Sequence, residues 1–170
     1  MLSPQDLSWL SGLCGEYMET KMIVIQIITA ALGAFGFALL YRLRPEHLPL
    51  AALGGALTWG IYLLGLNFTE NIFAASLVAS IFCAFYAEVL AKLLKTPATV
   101  FLIPSIISLI PGGSLYYTMS ELVQKDLTSS WYYARLTIQY ALAIALGISL
   151  VWAIWAMLFQ RKKQVQEVNK

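Results

Sequence analysis

The chain has 170 residues, of which 59% are hydrophobic and 12% charged, with a formal net charge of +2. Soluble domains carry roughly 25% charged residues, so this composition excludes one, and the absence of basic-aromatic clusters excludes nucleic acid as a partner. One histidine and two cysteines, Cys14 and Cys83, make no metal-ligand cluster; no metal, cofactor or disulfide is expected.

What remains is an all-α polytopic membrane helix bundle, read here in chain order. No basic stretch precedes an apolar core in the first twenty residues, so no cleaved signal peptide is expected. Ser3-Pro4-Gln5-Asp6 has the pattern of a helix start. Leu7, Leu10, Cys14 and Tyr17 then recur at helical spacing, and residues 1–21 are expected to form a short interfacial segment anchored by Trp9 and Tyr17. The alternative is a weakly ordered tail.

Residues 22–159 form the expected bundle of about five transmembrane helices. The first span, 22–41, carries Gln26, read as an interhelical hydrogen bond rather than a substrate contact. It also carries a small-residue stripe of Ala30, Gly33, Ala34 and Gly36 that would let another helix approach closely. Arg42, Arg44, Pro45, Glu46 and His47 make a connector in which His47 is expected at the surface. In the second span, 48–66, Ala52, Ala56 and Gly60 recur every four residues with Gly54 and Gly55 between them, so this helix is expected to pack inside a bundle rather than face lipid all round. The third, 69–91, is expected to begin at Thr69 and Glu70. Near its end Glu88 either pairs with Lys92 one turn on or serves as a proton-titrating carboxylate. The fifth span, 131–159, carries Arg135 one turn in and a ladder of Ala141, Ala145, Ser149 and Ala153, a packing face within the chain or against a second one. Residues 160–170 form a basic tail.

The fourth span differs from the rest. Pro97 to Met119 reads PATVFLIPSIISLIPGGSLYYTM, long enough to cross a bilayer (~34 Å at ~1.5 Å per residue) and uncharged, yet broken by Pro104 and Pro111-Gly112-Gly113. Proline lacks an N–H, so the carbonyls of Val100 and Ile107 are expected to be freed. In hydrocarbon such groups need protein or trapped water around them, and transporters build substrate sites from helices interrupted in this way. A half-helix starting near Gly113 would offer the N–H groups of Gly113, Ser114 and Leu115 to a carboxylate. Hydroxyls of Ser105, Ser108, Ser114, Tyr116, Tyr117 and Thr118 could fix its orientation. The expected substrate-binding residues are therefore Pro104, Ser105, Ser108, Pro111, Gly112, Gly113, Ser114, Tyr116, Tyr117 and Thr118, with Glu88 for proton coupling.

Lys and Arg give an orientation. Arg42, Arg44, Lys92, Lys95, Arg161, Lys162, Lys163 and Lys170 fall on one side of a five-span chain, against Lys21, Lys125 and Arg135 on the other. This predicts an outside N-terminus and a cytoplasmic C-terminus.

The Pro-Gly-Gly segment, with AEVLAKLLKTPATVF (Ala87 to Phe101) before it, resembles the signature of the threonine/serine exporter family, and the chain resembles the smaller membrane subunit of its two-component bacterial members. Ser108 departs from the pattern, since many members carry another proline there. The resemblance implies a proton-coupled secondary exporter, an antiporter in the bacterial inner membrane, for threonine and serine or for dicarboxylates. It also implies a larger membrane subunit as partner. An odd number of spans cannot form two equal halves, so a partner, larger or identical in a homo-oligomer, is expected from the residues as well. The rival readings are a self-associating pore and a non-transporting assembly subunit; no enzyme is expected, because no catalytic constellation is present.

Overall fold

The computed structural model describes the backbone of residues 4–168 and the side chains of 21–157. Trp9, Cys14 and Tyr17 and the basic tail, with the interfacial placement expected of the first residues, lie outside the described side chains. Six α-helices follow one another: α1 (Pro4–Leu40), α2 (Leu48–Thr69), α3 (Ile72–Leu94), α4 (Thr99–Ile106), α5 (Gly112–Val123) and α6 (Leu127–Val168). Single 3₁₀ turns lie at Pro45–His47 and Ile107–Leu109. No strand occurs among the described residues. Four apolar stretches are long enough to cross a membrane alone, at 21–40, 45–69, 72–94 and 127–157. The fifth is the pair formed by α4 with its 3₁₀ turn and α5, bent by 50°.

Local chemistry sets the boundaries. After α1 the backbone turns left-handed at Arg42 (φ 53°), and Leu43 donates its N–H to the Ala38 carbonyl, closing the helix end. Pro45 and Pro49 then open the 3₁₀ turn and α2 at positions where a missing N–H costs nothing. The α2–α3 connection, Glu70-Asn71, lies three residues later than expected. Thr69 is the last residue of α2, and Glu70 is its left-handed cap (φ 50°), donating to Leu66 O. Asn71 caps α3, its side chain accepting from the Phe73 N–H at 3.0 Å. Thr69 and Glu70 therefore end one helix rather than begin the next, because an Asn side chain is the better N-cap.

The helices lie side by side in the order α1, α2, α3, α6, with α4 laid across α1, α2 and α3, while α5 packs on α6. Small residues make this possible, since between apolar helices in lipid close approach supplies the attraction. The buried face of α3 includes Ala75, Ser76, Ala79, Ser80, Cys83, Ala84, Ala87 and Ala91. Gly147 of α6 sits against Ser80, which donates to Ala143 O at 3.3 Å. Gly55 of α2 meets Ala30 and Ala34 of α1, and Gly65 meets Ala75 of α3.

On α2 and α6 small residues lie on more than one face. The buried side of α2 is Ala51, Gly54, Gly55, Thr58 and Tyr62, so the Gly54-Gly55 pair lies inside while Ala52, Ala56 and Gly60 of the four-step ladder are half-buried. On α6 the residues turned inward are Ala143, Gly147 and Val151, whereas Ala141, Ala145, Ser149 and Ala153 face outward. Both helices carry two small-residue stripes side by side, so spacing alone does not choose between them. His47 is also displaced from expectation: the 3₁₀ turn folds it inward to 6% exposure, its ring edge-on to the buried Phe101 of α4 at 5.4 Å.

Candidate functional site

The break in the fourth span begins at Ile107, three residues after Pro104, and ends at Pro111. Pro104 itself lies inside α4, buried, and its ring leaves the Val100 carbonyl without a helical donor. The backbone tightens to 3₁₀ over Ile107–Leu109 and turns extended at Ile110 (ψ 125°). α5 starts directly after Pro111. The Ile107 carbonyl is not freed, since it accepts the Ile110 N–H at 3.3 Å. Likewise Leu115 is not a free donor, because it bonds to Pro111 O at 3.1 Å. Tightening to i→i+3 bonds lets a broken chain satisfy groups that an α-helix would leave open. Gly113 and Ser114, by contrast, make no backbone hydrogen bond through their N–H groups among the described residues. They stand at the start of a twelve-residue helix.

The ten expected binding residues divide into four groups. Pro104 and Ser105 are buried, with Ser105 Oγ directed at the Ala51 carbonyl of α2 at 3.5 Å and its side chain filling the space left by Gly54. Ser108 lies at the break, donating to Ser105 O (3.1 Å) and within 3.4 Å of Gly55 O. Pro111, Gly112 and Gly113 form the bend, where nothing lies within 4 Å of a side chain added at either glycine. On α5, Ser114 and Thr118 turn their hydroxyls back to their own helix, at Pro111 O and Ser114 O. Tyr116 and Tyr117 are exposed, and Tyr117 stacks on Tyr133 of α6. Ser130 Oγ donates to Thr118 O at 2.9 Å, tying α5 to α6. No residue of α5 is buried.

Beside the break lies a cleft of about 440 Å³ between α1, α2 and the 3₁₀ turn, within the range of small-molecule sites, roughly 300–1,000 Å³. Ser108 is the one expected binding residue that lines it. Gln26, Thr29, Gly33 and Phe37 of α1, Trp59 of α2 and Ile107 supply most of the rest. The Trp59 indole N–H donates to Gln26 Oε1 at 3.4 Å, which is the interhelical bond expected of Gln26. Thr29 Oγ1 donates to Ile25 O at 2.8 Å. The lining carries no charged side chain, so it can offer hydrogen bonds and two aromatic side chains, Phe37 and Trp59, but no counter-ion. Sequence reading missed Thr29 and Trp59. The signal was present as polar positions three apart, Gln26 and Thr29, in an otherwise apolar span.

Glu88, half-buried near the end of α3, is not among the lining residues of this cleft. Lys92, one turn later, places its ammonium 3.9 Å from the ring centroid of Trp155 on α6.

No solved structure matches the chain. A protein-family model described as Threonine/Serine exporter, ThrE, matches residues 26–154, a region that starts at Gln26 of the cleft, contains the whole broken span and ends within α6. With well over half of its length matched and a multi-pass helical membrane fold around the interrupted span, the chain belongs to the threonine/serine exporter family.

Proposed function

We propose that this chain is the smaller membrane subunit of a proton-coupled secondary exporter in the bacterial cytoplasmic membrane, exchanging small carboxylate-bearing metabolites, threonine and serine foremost. One observation carries the reading: α5 opens after Pro111 with the N–H groups of Gly113 and Ser114 unclaimed by backbone acceptors. A carboxylate placed there meets two donors and the positive end of the helix dipole, each dipole interaction contributing about 0.3–1 kcal/mol and more in a partly buried site. In the orientation given by the Lys and Arg distribution, with the N-terminus outside, that helix end faces the membrane interior. Ser108, at the same break, supplies a hydroxyl from the cleft side. Glu88, the carboxylate closest to the end of α3, is the proposed proton carrier.

A larger membrane subunit completes the pathway. The outward Ala141, Ala145, Ser149 and Ala153, together with Gly33 and Gly36, which have nothing within 4 Å, favour a protein neighbour over lipid. The same observation favours, as second readings, an assembly subunit or a self-associating pore. A dicarboxylate exporter differs only in the group placed opposite the helix end. In every one of these readings the chain is not an enzyme.

The test is export by the assembled carrier with Gly112→Leu and Gly113→Leu introduced together. Space for both side chains exists, so membrane insertion and abundance should be unchanged while export falls at least about tenfold, the equivalent of ~1.4 kcal/mol. Undiminished export would remove the half-helix from the mechanism.

A further inference from the structure

A second, larger cleft of about 690 Å³ lies between the first turns of the α1 span and the last turns of α2. Its walls are Ile23 and Ile27 of α1 and Gly60, Leu63, Leu64 and Leu66 of α2, with Asn67 and Glu70 at one end. Polarity is thus confined to the end where α2 leaves the membrane. From Gly60 to Glu70 the groove follows α2 for ten residues, ~15 Å at ~1.5 Å per residue, about half of a ~30 Å hydrocarbon core. Its innermost lining residues are Ile27 of α1 and Gly60 of α2. Gly60 has nothing within 4 Å of its missing side chain.

We infer that this groove is a binding site for a phospholipid with a primary-amine headgroup, the acyl chain lying along Gly60, Leu63 and Leu64 and the ammonium at Glu70 and Asn67. Depth argues for a lipid over a partner helix, since the lining runs along α2 only from Gly60 to Glu70, about one leaflet, where a spanning helix would cross both. Charge argues for the amine. The Glu70 carboxylate and the Asn67 side-chain oxygen accept hydrogen bonds from an ammonium and repel a purely anionic headgroup. The site is independent of the export reading, sharing no lining residue with the cleft at the break.

The experiment is native mass spectrometry of the purified full chain with equimolar phosphatidylethanolamine, phosphatidylglycerol and phosphatidylcholine of matched acyl chains. Wild type should retain the ethanolamine lipid about fivefold over the other two, the range of one charge-assisted hydrogen bond. Glu70→Gln should reduce that preference to near parity without loss of total lipid. Gly60→Leu, which fills the groove, should lower retention of all three, while Gly36→Leu, also at an open position, should not. Equal retention of the three lipids by wild type, or an unchanged preference in Glu70→Gln, would overturn the assignment. A cross-link from Asn67→Cys to a protein segment, with lipid displaced, would overturn it as well.

Discussion

Asp126 shows how a single side chain holds the joint between α5 and α6. Its carboxylate accepts from the Ser129 hydroxyl (2.8 Å) and from the Thr128 and Ser129 backbone N–H groups, an N-cap of α6. These bonds, Ser129 foremost, hold its pKa below the usual carboxylate value. A lowered folded-state pKa means stabilisation that is present above the unfolded value, ~3.9, and lost as pH falls through the folded one. Asp126→Ala should therefore lower the thermal midpoint at pH 7, with the gap to wild type closing below about pH 4; a gap independent of pH would show that the charge is irrelevant. Glu88 gives a second residue-scale expectation. Glu88→Gln should abolish export driven by a pH gradient while leaving substrate counterflow, which needs no net proton movement, within about twofold. Loss of both in a normally inserted protein would make Glu88 structural. His47 marks the limit of reading residues singly. A polar residue between Glu46 and a proline-led helix reads as surface, and only the fold of the Pro45–His47 turn onto Phe101 buries it.

At the scale of elements, the broken span was legible and the helix faces were not. Two prolines seven residues apart remove hydrogen bonds whatever surrounds them, so Pro104 and Pro111 announce the interruption and its place. Where the freed groups go is a tertiary matter. The Ile107 carbonyl and the Leu115 N–H find local partners in the 3₁₀ turn and at Pro111, which no spacing rule foretells. Ser105 appeared as a ligand candidate in sequence because it is polar and lies in an apolar span; in the fold its hydroxyl answers the Ala51 carbonyl. The choice among helix faces stays open in sequence for a related reason. When Ala, Gly and Ser recur on adjacent stripes, the contacting stripe is chosen by the neighbour, as Ser80 chooses Gly147. Substitution separates the two. A methyl at Gly147 would collide with Ser80 and come within 3.1 Å of the Ile81 backbone nitrogen, so Gly147→Ala should destabilise the bundle by about 1–3 kcal/mol. Ala145→Gly, on the outward stripe, should change it by no more than the helix-propensity difference of ~1 kcal/mol. Thermal denaturation in detergent distinguishes them, and equal midpoints would refute the assigned interface.

Over the described residues the chain is a row of four spans with the two halves of the broken fifth packed on different members of it. α4 lies over α1, α2 and α3, and α5 sits on α6. The number and character of spans followed from hydropathy, because a bilayer imposes length and apolarity on each crossing. The order of helices, and the cleft at Gln26, Trp59 and Ser108, required the fold. Such an arrangement leaves α5 without a buried residue and leaves small-residue faces on α1 and α6 uncovered, the faces to which the proposed larger subunit is assigned. The most direct measurement is labelled threonine and serine counterflow in liposomes holding this chain, the proposed larger subunit, or both. Saturable exchange only with both present is the predicted result. Equal exchange by the larger partner alone would contradict the proposal that this chain contributes to the pathway.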